Sequence, residues 1–329
     1  MQSRIHRTRR QRSALVLSAT MVAVAALIVV SGCDLSRITG STESGVWTAG
    51  SSAHEVAAGV TSRTFQIHVP PKRLTRNSLP AGWPLVIVLH GSGAGGGDIE
   101  EATAMDSIAD ANLFVVAYPD GSRGDFGVFP SDWNAGTCCG GANRDNVDDI
   151  AFLKAMIADM SKKLTLDAHR IYVAGFSAGA RMTFHVGCQM GTTVAAIAVI
   201  SGSLVDDNCK PTVGVPLIAV HGNADGEVDY NEPAPASPRL VPALANSATP
   251  AVQFWTALSK CTGGKATRPS VHVSLLTFTV CTNSEVQFYA IDGGTHGWPG
   301  GRVEPGSLPP MSELKTSALV WQFFNRKTR

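Results

Sequence analysis

The chain has 329 residues, 44% of them hydrophobic and 16% charged, and a net charge of +1 at neutral pH. A balance this even offers no basic face for nucleic acid and no field for acidic partners, so nucleic-acid binding is set aside. Past its N-terminal segments, the length suits one α/β domain with a large core.

Arg4, Arg7, Arg9, Arg10 and Arg12 precede an uncharged apolar stretch over 14–30. This is the n-region and h-region of a signal peptide, with a stretch at the short limit for a spanning helix. Val30-Ser31-Gly32-Cys33 follows and resembles the bacterial lipobox, in which the cysteine is lipidated and begins the mature protein. The expected organisation is a signal peptide over 1–32, a flexible tether over 33–62 anchored at Cys33, and a catalytic domain over 63–329. The competing reading is an ordinary secreted protein cleaved nearby. Arg9-Arg10 invites a twin-arginine reading, but the residues after it fit poorly, and the export route stays open.

Strands are expected at 64–69, 85–89, 113–117, 170–174, 195–200, 216–220, 271–278 and 286–291, and helices at 98–110, 146–162, 178–190, 250–259 and 311–325. The alternation predicts an α/β fold: a mostly parallel eight-stranded sheet with helices on both faces and no large cap domain. Two long Gly/Pro-rich loops, 119–144 and 225–250, are expected to shape a cleft at the carboxyl ends of the strands.

Gly175-Phe176-Ser177-Ala178-Gly179 lies between a β-branched run and a helical stretch. Glycine on both sides of a serine there permits a turn sharp enough to expose the hydroxyl. The competing role for Ser177 is a simple N-cap. Serine needs a base, and the base needs a third group to fix its tautomer. Of the nine histidines, His6, His54, His68, His169, His185 and His272 are poorly placed. His90, His221 and His296 each follow a strand. His296, in the loop Asp292-Gly-Gly-Thr-His296-Gly-Trp-Pro-Gly300, is the preferred base, and His90 and His221 are expected to be structural, with rings satisfied by backbone partners. The preferred acid is Asp225, at the end of a buried strand, with Asp229 as main rival and Asp206 or Asp207 more remote. For the oxyanion, the amide of Ala178 and that of Gly91 or Ser92 are the expected donors. The glycine-rich run 91–97 lacks the ending of a phosphate-binding P-loop, and nucleotide binding is a minor alternative.

Setting Cys33 aside leaves Cys138, Cys139, Cys188, Cys209, Cys261 and Cys281, an even set that fits an oxidising compartment. Neighbouring Cα atoms lie about 3.8 Å apart across a trans peptide, below the usual disulfide minimum of about 4.4 Å. That argues against Cys138 bonding Cys139 and leaves the rest of the connectivity open; the pairing expected is Cys261 with Cys281, and Cys138 and Cys139 shared out between Cys188 and Cys209. No CxxC pair or histidine spacing supports a metal, and none is expected.

Several stretches, in consistent order, resemble the extracellular poly(3-hydroxybutyrate) depolymerase and feruloyl esterase group, including lipoprotein esterases of mycobacterial type. They are Leu89-His-Gly-Ser-Gly93, Tyr118-Pro-Asp-Gly121, Trp133-Asn-Ala-Gly136 with Cys138-Cys139-Gly140, Asn146-Val-Asp-Asp-Ile-Ala-Phe152, Arg170-Ile-Tyr-Val-Ala-Gly-Phe-Ser-Ala-Gly179, His221-Gly-Asn-Ala-Asp225 and His296-Gly-Trp-Pro-Gly300. The resemblance implies an α/β-hydrolase fold and a triad of Ser177, Asp225 and His296 acting through an acyl-enzyme, without metal or organic cofactor. It implies an ester substrate, with polyhydroxybutyrate-type oligoesters, feruloyl esters and short acyl esters all open. Polymer-degrading members often add a polyester-binding domain, and the chain ends soon after Phe324. The rivals are a serine peptidase of prolyl-oligopeptidase type and a surface binding module with a relic triad.

Overall fold

Four runs, Trp83–Leu89 (β3), Val115–Pro119 (β4), Ala196–Ile200 (β6) and Leu217–Gly222 (β7), are buried along their whole length. Runs without a polar face need cover on both sides, and here helices supply it. In this computed structural model, which describes residues 47–59, 61–71, 81–124, 130–234, 248–282, 284–302 and 313–329, those runs lie in a ten-stranded sheet. The others are Gly50–Ala58 (β1), Thr61–Val69 (β2), Leu166–Phe176 (β5), Cys261–Thr267 (β8), Val273–Cys281 (β9) and Val286–Ile291 (β10), in the order β1-β2-β4-β3-β5-β6-β7-β10-β9-β8. From β4 to β10 all neighbours are parallel, whereas β1, β2, β9 and β8 pair antiparallel at the two margins.

Alternate side chains of the central strands feed two cores. Leu85, Ile87, Leu89, Val173 and Leu217 pack with Phe152 of Asp149–Lys163 (α4), Phe184 of Ala178–Gln189 (α5) and Trp255 of Pro250–Leu258 (α6). On the other face Val86, Val88, Tyr172 and Ile218 pack with Ile99 of Gly96–Thr103 (α1), Met105 of Met105–Asn112 (α2) and Trp321 of Thr316–Phe324 (α7). Each such large side chain contributes roughly 1.5–3 kcal/mol by leaving water.

Several sequence expectations are corrected. Two strands, β1 and β8, join the eight expected. The tether expected over 33–62 holds β1, which pairs with β2 from Gly50↔Val69 to Ala58↔Thr61. Its Ser/Ala-rich composition reflects an edge strand whose inner face alone is covered, with Trp47 packed on His54 and Phe65. The helix expected over 98–110 is two helices, because Ala104 takes a left-handed conformation (φ 48°) and redirects the chain so that Met105 is buried. A short helix, Gly140–Arg144 (α3), lies inside the loop expected over 119–144.

The disulfides are Cys138–Cys139, Cys188–Cys209 and Cys261–Cys281. The third agrees with expectation, the cysteines facing each other across β8 and β9. Sharing Cys138 and Cys139 between Cys188 and Cys209 is overturned. Their peptide is cis, with Cα atoms 3.1 Å apart, so the spacing argued from a trans peptide does not apply. Cys33, the lipobox and the apolar stretch over 14–30 lie outside the described residues, among which no helix is long and apolar enough to cross a membrane.

Candidate active site

Ser177 stands between β5 and α5 with φ 55° and ψ −120°. Such a conformation costs an L-residue on the order of 1–3 kcal/mol and persists only where its surroundings enforce it. The flanking glycines explain how. A Cβ on Gly179 would lie 2.5 Å from the His90 carbonyl oxygen and 2.6 Å from the Leu89 carbonyl carbon, and one on Gly175 would overlap the Gly179 carbonyl. The helix therefore begins pressed against the end of β3. The Ser177 amide donates to Ile200 O (3.1 Å), while its side chain makes no capping bond. The hydroxyl is not spent as an N-cap.

Asp225 and His296 come together because β7 and β10 are parallel neighbours, with Gly222 opposite Ile291, and both chains turn at the same rim. There the Ala224 amide donates to Gly294 O (2.9 Å) and the Gly293 amide to Asn223 Oδ1 (2.7 Å), stitching the two turns. His296 Nδ1 lies 3.0 and 2.9 Å from the two Asp225 carboxylate oxygens. A carboxylate only accepts, so Nδ1 carries the proton and Nε2 is left as the acceptor. Phe176, next to Ser177, lies against the imidazole with ring centroids 4.8 Å apart.

The Asp225 carboxylate is fully out of solvent. Burial pushes its pKa up, but hydrogen bonds from His221, His296 and the Val228 and Glu227 amides outweigh that and hold it well below the ordinary carboxylate range. His221 was expected to be satisfied by backbone alone. Its Nε2 does reach Val228 O (3.0 Å), but it also lies 3.2 Å from Asp225 Oδ2, which makes it a second imidazole on the acid. The four-residue spacing in His221-Gly-Asn-Ala-Asp225 was the available signal. Ser201, at the end of β6, was also missed; its hydroxyl donates to Gly297 O (3.0 Å), beside His296. The rival acids are engaged elsewhere: Asp229 with the Asn231 amide, Asp206 with His185 and the Asn208 amide.

The loop after β3 closes the other side of Ser177. A Cβ on Gly91 would lie 3.2 Å from the Ser177 Cβ. His90 Nδ1 donates to Gly91 O (2.7 Å) and its Nε2 accepts from the Gly121 amide (2.8 Å), the bonding of a neutral ring. Burial lowers its pKa accordingly. The loop expected over 119–144 supplies none of the described residues lining the cleft. It buttresses this loop instead: Trp133 Nε1 donates to His90 O (2.9 Å), Ser92 Oγ to Asp132 Oδ2 (2.7 Å), and the Gly93 amide to Ser131 O (2.7 Å).

A cavity of about 570 Å³ opens over these groups, lined by Gly91, Ser92, Ser177 and His296, with Ile99, Phe176 and Trp298 as its apolar wall. Ala178 is not among the lining residues, although it adjoins Ser177. The expected loop over 225–250 contributes Gly226 and Glu227; residues 235–247 lie outside the described ones. As for metals, the Cys188 and Cys209 sulfurs and an Asp206 oxygen lie within 4.8 Å of one another, but the disulfide consumes the thiols a metal would need.

Residues 66–215 match the family model for esterase PHB depolymerase. This segment is similar to that family. Feruloyl esterase B of Piromyces equi is 29% identical over 227 residues, covering 67% of this chain and 40% of its own length. The bifunctional acetylxylan esterase/xylanase of Neocallimastix patriciarum is 31% identical over 167 residues, 50% of this chain and 22% of its own. The chain thus spans well under half the length of these two relatives. The acetyl xylan esterase structure from Aspergillus awamori superposes with a TM-score of 0.54 at 15% identity, covering 83% of this chain and 99% of that one. At that identity the likeness shows a shared α/β-hydrolase fold.

Proposed function

We propose that the chain is a carboxylic ester hydrolase in which Ser177 attacks the substrate carbonyl, His296 moves the proton and Asp225 holds the imidazole. The observation that carries this reading is the His296–Asp225 pair at the rim of the cavity that Ser177 also lines. The family match and the esterase activity named for the relatives support it.

In this mechanism Nε2 of His296 takes the Ser177 proton as Oγ bonds to the carbonyl carbon, and the imidazolium so formed is stabilised by Asp225. The oxyanion is held by the amides of Ala178 and of Gly91 or Ser92. Nε2–H then protonates the alcohol oxygen as the ester C–O bond breaks, leaving acyl-Ser177. A water, deprotonated at Nε2, releases the acid and restores the serine. The apolar wall suits the acyl group, with feruloyl, short acyl and hydroxybutyrate-type esters as candidate substrates. Export, with Cys33 as a lipid anchor, is part of the proposal; the three disulfides fit an oxidising compartment.

The test is covalent labelling with a fluorophosphonate together with hydrolysis of short-chain nitrophenyl esters. The expected result is one label, on Ser177, and loss of hydrolysis in proportion to labelling. A protein that neither labels nor hydrolyses would favour a binding module, and cleavage of peptides but not esters would favour a peptidase.

A further inference from the structure

The acid turn places a second carboxylate beside the histidine. The amides of Glu227 and Val228 both donate to Asp225 Oδ1, at 3.0 and 2.9 Å, so the backbone of residue 227 is fixed by the same turn that holds the acid. From there the Glu227 side chain reaches over the cavity, and its Oε2 lies 3.7 Å from Nε2 of His296. The two carboxylates occupy different worlds: that of Asp225 is fully buried, that of Glu227 is 74% exposed. Glu227 lines the cavity with Ser177.

Nε2 is the atom that, on the esterase reading, delivers a proton to the departing alcohol oxygen. On that reading a group 3.7 Å from Nε2, itself largely exposed, faces the alcohol half of the ester, and the apolar wall of Ile99, Phe176 and Trp298 is left for the acyl half. We propose that Glu227 is a specificity residue for the leaving alcohol. Its carboxylate accepts hydrogen bonds from a neutral, hydroxyl-bearing alcohol and repels one that carries a negative charge. The inference rests on the proposed esterase chemistry and narrows its substrate class. Esters of neutral polyols are favoured, and in a hydroxyacid polyester an internal bond is favoured over the terminal one, whose leaving hydroxyacid ends in a free carboxylate.

Three butyrate esters with one acyl group test this: 4-carbamoylphenyl, 4-carboxyphenyl and 4-(trimethylammonio)phenyl butyrate, assayed with wild type, Glu227→Gln and Glu227→Lys. Unit charges about 6 Å apart at a wet surface change kcat/KM by roughly threefold to tenfold. Glu227→Gln should raise the carboxylate-to-carboxamide ratio of kcat/KM by that factor and lower the ammonium-to-carboxamide ratio. Glu227→Lys should move both further in the same directions, and 1 M NaCl should collapse the differences. Ratios unmoved in either variant, or all three esters falling together, would overturn the assignment of Glu227. Wild type inactive towards all three esters would instead overturn the esterase reading on which it rests.

Discussion

The two sides of the cleft are built on different physics. At the Ser177 turn the geometry is made of backbone: Gly175 and Gly179 let α5 begin against the carbonyls of Leu89 and His90, and a left-handed serine is held by packing. At the Asp225 turn it is made of charge and hydrogen bonds, with two imidazoles and two amides converging on one buried carboxylate. The first should fail when atoms are added and the second when charge is removed.

Ser177→Ala removes the proposed nucleophile and leaves the turn intact. Loss of such a serine costs on the order of 10⁶-fold in kcat, and the expected companion is an unchanged melting temperature, read by calorimetry. Asp225→Asn keeps the shape and removes the charge. The expected loss is about 10⁴-fold, because the amide can present its N–H to the imidazole and favour the wrong tautomer. A loss below tenfold would mean that the acid turn is not the charge-built half described above.

How much of this contrast the sequence carries depends on which kind of physics is at work. Apolar runs such as Leu85-Val-Ile-Val-Leu89 announce strands buried on both faces, and the parallel pairing of β7 with β10 brings the residues after them to one rim. The proximity of Asp225 and His296 was therefore legible. Edge strands were not. Half of β1 faces solvent, so its composition matches a linker, and β8, Cys261-Thr-Gly-Gly-Lys-Ala-Thr267, owes its pairing to β9 and a disulfide. Also hidden were the cis peptide at Cys138-Cys139 and the turn at Ala104, where no glycine or proline marks a break. The loop over 119–144 is expected from its composition to shape the cleft. Its buttressing role depends on hydrogen bonds that Gly121 and Trp133 donate and that Ser131 and Asp132 accept, spread along the loop.

The backbone half can be probed through stability. Gly179→Ala drives a methyl group into the Leu89 and His90 carbonyls, and the expected cost is about 3 kcal/mol, seen as a lower urea midpoint with an unchanged slope. Ser177→Gly should go the other way. Relief of the left-handed serine, less the entropy glycine gains in the unfolded chain, leaves a gain of about 1 kcal/mol over Ser177→Ala, or a rise of roughly 2–4 °C. Equal melting of the two variants would show that packing imposes no strain at this position.

The charge half has its own signature in acid. Folding holds the Asp225 pKa below its unfolded value, since the hydrogen bonds from His221, His296, Val228 and Glu227 outweigh the opposing effect of burial. A depressed carboxylate contributes stability that is present above the unfolded pKa of about 3.9, and that contribution is lost as pH falls toward the folded value. The stability gap between wild type and Asp225→Asn should thus stay level from pH 7 to about pH 5 and shrink below about pH 4, with a slope no steeper than about 1.4 kcal/mol per pH unit for one group. Urea unfolding of both proteins across that range measures the gap. A gap that closes already between pH 7 and 6 would overturn this account, and the carboxylate would no longer be the centre on which this turn is built.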